Sequence, residues 1–186
     1  IIERKTSRSI LEEWGITLRE VNNNQDLTIK FQEEIIKRKF EDEKHAVESS
    51  DIWFTERTFA DLFTYALISL GKDNEFSEWL NDYFKRCKNY CKIYRSVFYL
   101  KAGFFKPVDD GVRGSNIHYS KMVDLVMYDF TRQMFPPCDN SMVDTIELAT
   151  PQERAEYIDY RVKKIVMYSP LNRITLQDIT KEKDET

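Results

Sequence analysis

The chain has 186 residues, of which 41% are hydrophobic and 32% are charged, and its formal net charge is -4. This length and apolar content predict one folded domain with a buried core and exclude a disordered chain. The near balance of charges excludes a general basic surface for nucleic acid or anionic membrane, so a phosphate-binding site would have to be local.

The first predicted helix is short. Hydroxyl-bearing residues at positions 6–9 precede an apolar stretch, and Gly15 supplies the stop. A loop at residues 22–25 leads into a long amphipathic helix, which we expect to be capped by Asp26 and to carry Glu43 among its polar positions.

An apolar run without internal charge at residues 51–55 predicts a strand buried on both faces of a parallel sheet. The next helix, Phe59–Leu70, is apolar nearly all round and ends at Gly71, so it should lie deep in the domain. A further helix over residues 75–90 and a second buried strand, Ser96–Leu100, follow.

The second half continues the alternation of strands and helices. Residues 119–135 have helical periodicity, residues 143–148 suggest an edge strand, and Pro151 begins a last helix that ends near Met167. This order predicts an α/β fold with a parallel sheet flanked by helices over residues 1–168, followed by a loosely held tail at 169–186.

The cysteines and the apolar runs indicate in which cellular compartment we expect the protein. Cys87, Cys91 and Cys138 are odd in number and no signal peptide is evident, which argues against a secreted disulfide framework. The pair Cys87-x-x-x-Cys91 alone is a poor zinc signature. Because no apolar stretch reaches the roughly 20 residues that span a bilayer, we expect a cytoplasmic protein with no membrane partner.

Polar residues that directly follow buried strands are the first candidates for a site, because ligands collect at the carboxyl ends of parallel strands. Glu56 and Arg57 follow the run at 51–55, and Arg113 lies in a glycine-containing loop after the second strand. Arg57 could clamp a phosphate while Glu56 accepts from a sugar hydroxyl, or the two could form only a structural ion pair. Arg113 could close over a transferring phosphoryl group, or be a surface arginine on a solvated turn.

On the long helix, Phe31 is expected to face the core while the Gln32 amide could reach into a cleft and read a base edge. The alternative for Gln32 is an ordinary surface position.

Taken in order, these segments resemble the P-loop kinases of the nicotinamide-riboside kinase-like AAA group, which include phage-encoded members, and more distantly the deoxynucleoside kinases. The likeness rests on five short stretches: Ile2-Glu3 followed by Thr6-Ser7-Arg8, Phe31-Gln32, Glu56-Arg57-Thr58 with Asp61 and Tyr65 behind it, Asp109-Asp110-Gly111-Val112-Arg113, and Pro151-Gln152-Glu153-Arg154.

The resemblance implies a three-layer P-loop fold, with ATP and Mg²⁺ as cofactors. It implies transfer of the γ-phosphoryl group to a nucleoside, a nucleotide or a nucleoside-like acceptor such as a modified nucleic-acid base. It assigns catalytic roles to Glu3, Arg57 and Arg113, a lid to about residues 103–118, and substrate contacts to Arg8, Phe31, Gln32, Glu56 and Asp110.

The chain departs from that family in one respect. Its five glycines include none followed by Lys-Ser or Lys-Thr, so it has no Gly-x-x-x-x-Gly-Lys-Ser/Thr loop. We expect the first strand and this loop, about thirty residues, to be missing from the sequence. The alternative is a non-catalytic module that senses nucleotides or binds a protein on the same scaffold.

Overall fold

The computed structural model describes residues 6–102, 116–135, 142–148 and 150–168. These residues form an α/β arrangement that is rich in helix and contains a small parallel sheet. In chain order the elements are α1 Thr6–Trp14, α2 Leu18–Asn22, α3 Gln25–Ser49, α4 Phe59–Leu70, α5 Ser77–Tyr90, β1 Ser96–Leu100, α6 Ile117–Met134, β2 Met142–Ile146 and α7 Pro151–Tyr168, with 3-10 turns at Asn74–Phe76 and Cys91–Ile93.

The three N-terminal helices begin and end at recognisable local signals. Gly15 ends α1 with φ 65°, a left-handed conformation that glycine adopts without steric cost. The side chain of Asn24 accepts a hydrogen bond from Leu27 N at 3.0 Å and caps α3. The prediction that Asp26 is the cap was therefore wrong: Asp26 lies in the first turn, where its carboxylate faces the positive end of the helix dipole.

Helix α4 lies at the centre of the packing, as its sequence predicts. Phe59, Ala60 and Ala66 are fully buried, and α4 contacts α3, α5 and α6. The Phe63 ring meets the rings of two neighbouring elements edge-on, with centroids 5.0 Å from Phe84 and 4.7 Å from Phe130. A helix packed on three sides can be apolar nearly all round without exposing a patch.

Strands β1 and β2 pair in parallel, with Val97 opposite Val143. The strands predicted at residues 96–100 and 143–148 are therefore confirmed, the second with bounds Met142–Ile146. Val97 and Tyr99 are buried while Leu100 is exposed, so β1 has a packed face and a more open one. The Arg161 side chain of α7 donates to Asp144 of β2 at 2.8 Å and attaches the last helix to the sheet.

The predicted strand at residues 51–55 is wrong. In the described residues the only strands are β1 and β2, and residues 51–55 have no ladder partner. Trp53 packs against Tyr94 with ring centroids 5.6 Å apart, whereas Ile52 and Phe54 are 49% and 52% exposed. Because only the alternate residue is packed, apolar content alone was an insufficient sign of burial on both faces.

Residues 103–115 of the predicted lid and residues 169–186 of the predicted tail lie outside the described residues. Ile117 and His118, at the end of the predicted lid, belong to the first turn of α6. The described helices include none that is both long enough and apolar enough to cross a bilayer.

Candidate functional site

Arg57 has an unusual backbone. Among the described residues it is the only one other than glycine with positive φ, at 71°. This conformation brings Cβ close to the following carbonyl oxygen and costs roughly 1–2 kcal/mol for an L-residue. Such strain persists only where the surroundings impose it, and it concentrates at functional sites.

The residues after Arg57 are held by the start of α4. Asp61 Oδ2 accepts from Thr58 N at 2.7 Å and from Thr58 Oγ1 at 3.0 Å, and Thr58 Oγ1 accepts from Ala60 N at 3.2 Å. This capping box fixes the peptide that leaves Arg57, since both ends of the motif belong to one rigid helical turn.

The Arg57 guanidinium lies over an aromatic ring and close to the surface. Its central carbon is 5.5 Å from the centroid of the Tyr65 ring, which lies about two helical turns into α4. Its Nε is 3.8 Å from Glu56 Oε1, too far for a hydrogen bond, and the side chains of Arg57 and Glu56 are 31% and 86% exposed. The expectation that this pair directly follows a buried strand was wrong, because the preceding segment lies outside the sheet.

Beyond Tyr65 lies the first turn of α6. Burial raises the pKa of Tyr119 in this turn, and Tyr65 raises it further. Asn116 Oδ1 accepts from His118 N at 3.0 Å and from Tyr119 N at 3.2 Å, which fixes where α6 begins. Arg57 and Tyr65 together are called the Arg57 site below.

The end of β1 is tied to α6. Asp124 Oδ1 accepts from the Tyr99 hydroxyl at 2.7 Å and from Ala102 N at 3.1 Å. Burial raises the pKa of Tyr99, and Asp124 and Asp61 raise it further because their negative charges oppose ionisation of the phenol. The first residue of α4 packs beside Tyr94, which precedes β1: the Phe59 and Tyr94 ring centroids are 5.9 Å apart.

Phe31 and Gln32 lie in the helix packing. Phe31 is buried, as predicted, with its ring edge-on to Trp14 at 6.1 Å. Gln32 is also buried, and the Tyr83 hydroxyl donates to its main-chain oxygen at 3.1 Å and to its Oε1 at 3.4 Å. The expectation of a cleft-facing or surface amide was wrong. A base contact by Gln32 would require its contact with Tyr83 to open.

Arg8 belongs to a different hollow. It lines a groove of about 630 Å³ between α1 and α3, to which no residue of the Arg57 site contributes. The groove is lined by Thr6, Arg8, Ser9, Glu12, Glu34, Lys37, Arg38, Glu41 and Asp42. Its charges are mixed, and Arg38 donates two hydrogen bonds of 2.7 Å to the Glu13 carboxylate.

The other predicted site residues, Glu3, Asp110 and Arg113, lie outside the described residues. Within the described ranges no three His, Cys, Asp or Glu side chains are grouped so as to bind a metal ion. Cys87 and Cys91 are buried free thiols whose pKa values burial raises above the ordinary range. A phosphate group fits Arg57, whereas the described residues include no such grouping of ligands for Mg²⁺.

Sequence reasoning missed a polar cluster beside this site. Glu43 was expected on the polar face of its helix, but it is 4% exposed and accepts from Lys39 Nζ at 2.6 Å and from the Tyr94 hydroxyl at 3.0 Å. The spacing of Lys39 and Glu43, four residues apart on a helix, was the available signal, but such pairs usually lie in solvent. Comparisons with protein-family models, curated proteins and solved structures give no match to the chain.

Proposed function

We propose that the chain is an ATP-dependent phosphotransferase, a P-loop kinase-type domain that acts on a nucleoside, a nucleotide or a nucleoside-like acceptor. The observation that carries the proposal is Arg57, an arginine in a strained backbone conformation whose guanidinium lies over the Tyr65 ring and is partly exposed at the surface. In this proposal Arg57 binds a phosphate group of the acceptor or of ATP.

The chemistry of Arg57 suits this role. A guanidinium offers parallel N–H donors that match two phosphate oxygens, and it keeps its charge at every physiological pH. The ring of Tyr65 orients the guanidinium plane, and the nearest carboxylate, Glu56, is too distant and too exposed to neutralise the cation. A phosphate would therefore gain two hydrogen bonds without displacing a strong internal ion pair.

The finer assignments follow from the family resemblance. They comprise the three-layer P-loop fold, ATP with Mg²⁺, an acceptor-side carboxylate at Glu3, substrate contacts at Asp110 and a lid arginine at Arg113. The parallel pairing of β1 and β2, bonded to α6 through Tyr99 and to α7 through Asp144, supports the α/β class.

Binding without turnover is the second candidate. Kinases of this type cradle the ATP phosphates on a Gly-Lys-Ser/Thr loop, and none of the five glycines in this sequence begins one. A nucleotide-sensing module would use Arg57 to recognise phosphate but would leave the phosphoryl group in place.

The test compares Arg57→Ala with a matched control. Arg132 also lies over an aromatic ring, 5.7 Å from the centroid of Tyr128, so Arg132→Ala removes the same kind of contact elsewhere. Binding of ATP, ADP, nucleoside monophosphates and pyrophosphate is measured by calorimetry, and transfer is followed with γ-labelled ATP and a nucleoside panel.

We expect Arg57→Ala to weaken phosphate binding at least tenfold, because the phosphate loses a charged hydrogen-bonding partner. Arg132→Ala should leave phosphate binding unchanged. Binding without transfer would favour the sensing module. Equal binding and equal transfer by the wild type and Arg57→Ala would reject the role of Arg57.

A further inference from the structure

A chain of hydrogen bonds connects the middle of α3 to the segment that carries Arg57. Lys39 Nζ donates to Glu43 Oε1 at 2.6 Å and to Thr55 Oγ1 at 3.2 Å. The Thr55 hydroxyl then donates to the carbonyl oxygen of Glu56 at 3.4 Å. That carbonyl belongs to the peptide bond between Glu56 and Arg57. The series of hydrogen bonds therefore ends at the peptide whose orientation depends on the φ angle of Arg57.

Lys39 is itself held rigidly. Its side chain is 11% exposed, and its carboxylate partner Glu43 also accepts from the buried Tyr94 hydroxyl. Burial, followed by the charge of Glu43, raises the pKa of Tyr94 well above its ordinary value, which keeps the phenol protonated as a donor. A buried carboxylate requires such partners, so the ammonium cannot move away without a large penalty.

The ammonium also lies near the residue that begins α4. Lys39 Nζ is 5.6 Å from the centroid of the Phe59 ring, and Thr55 lies on the other side of Arg57 along the chain. The lysine therefore contacts one residue before the strained position and one after it.

We propose that Lys39 is a positioning residue which, through the Thr55 hydroxyl, holds Arg57 in its left-handed conformation and so presents the guanidinium over Tyr65 at the Arg57 site. The capping box of Thr58 and Asp61 fixes the peptide after Arg57. The hydrogen bonds from Lys39 through Thr55 fix the peptide before it. A conformation that an L-residue rarely adopts requires both anchors. The use of this arrangement for phosphate rests on the proposed function, but the backbone claim does not.

The first experiment measures local opening at Arg57 by limited trypsin digestion under native conditions. Trypsin cleaves after arginine, and the fragment ending at Arg57 is quantified by mass spectrometry. Thr55→Val removes the hydroxyl but keeps the shape, while Thr55→Ser keeps the hydroxyl. The matched control is Thr150→Val, which removes a hydroxyl that caps α7 by bonding to Glu153 at 2.7 Å.

Loss of one hydrogen bond should raise the population of the open segment about threefold to tenfold, and the cleavage rate with it. We expect this increase for Thr55→Val and for Lys39→Met, but not for Thr55→Ser or Thr150→Val. Urea denaturation of each variant separates local from global opening, since global unfolding would speed cleavage at every site. Wild-type cleavage after Arg57 in a folded Thr55→Val variant would overturn the proposal.

Pyrophosphate titration distinguishes this proposal from the proposed function. If Thr55→Val speeds cleavage and weakens pyrophosphate binding severalfold, both are supported. If cleavage speeds up while the wild type and Arg57→Ala bind pyrophosphate equally, the positioning role stands and the phosphate-binding role fails. If Lys39→Met does not fold, the Thr55 variants still decide the outcome.

Discussion

Replacing Arg57 by glycine separates the backbone conformation of this position from its charge. Arg57→Gly and Arg57→Ala both remove the guanidinium and its contact with the Tyr65 ring, so the energy of that contact cancels when the two variants are compared. What remains is the cost of φ 71°, which alanine bears and glycine does not.

The magnitude follows from two opposing terms. A left-handed conformation costs an L-residue roughly 1–2 kcal/mol, which glycine avoids. Glycine in turn loses more chain entropy on folding, roughly 0.5–1 kcal/mol relative to alanine. We therefore expect Arg57→Gly to have a free energy of unfolding about 0.5–1 kcal/mol greater than that of Arg57→Ala, although neither variant should bind phosphate.

Urea unfolding followed by tryptophan fluorescence measures the difference, because Trp53 lies four residues from the substitution and packs on Tyr94. Glu56 supplies the control: it is exposed and does not have positive φ, so glycine there should be less stable than alanine. If glycine were also the less stable residue at position 57, the reasoning about backbone strain would be refuted.

Two further predictions concern stability. The Glu33 carboxylate accepts from Arg86 at 2.6 and 2.7 Å, and these bonds hold the pKa of Glu33 below its ordinary value. Stabilisation from a lowered carboxyl pKa is present above the unfolded pKa and is lost as pH falls through the folded one. The free energy of unfolding of the wild type should therefore exceed that of Glu33→Gln near pH 7. The difference should be at most about 1 kcal/mol, because solvent screens this partly exposed ion pair. Urea unfolding should show that this difference in free energy disappears below about pH 4. A difference that does not depend on pH would contradict the role of Arg86 in lowering the pKa of Glu33. Gly15 has φ 65°, and a Cβ added there would have no atom within 4 Å. Gly15→Ala should therefore lower the free energy of unfolding by about 1 kcal/mol through backbone strain alone, and Gly15→Asn should lower it less. Equal thermal midpoints for the wild type and Gly15→Ala would show that this turn is not constrained.

Most of the helices, and both strands, could be predicted because their signals are local. Gly15 ends a helix by its own backbone freedom, and the Thr58 cap needs a partner only three residues away. The position of Arg57 at the start of an apolar helix was likewise readable, and it remains the centre of the candidate site.

The burial of individual side chains could not be predicted in the same way. Residues 52–54 are apolar but lack a neighbouring strand, Gln32 meets Tyr83 across 51 positions of sequence, and Glu43 meets Tyr94 across the same separation. In each case a distant element decides whether the group is exposed or enclosed.

The sequence by itself determined where most of the helices lie and which residue carries the candidate cation, because capping, periodicity and turn formation act between near neighbours. Only the tertiary structure decided that Arg57 has a strained backbone and that Lys39 reaches the segment before it through Thr55. These features depend on packing α3 against residues 51–59, and contacts between segments far apart in the chain leave no regular spacing in the sequence.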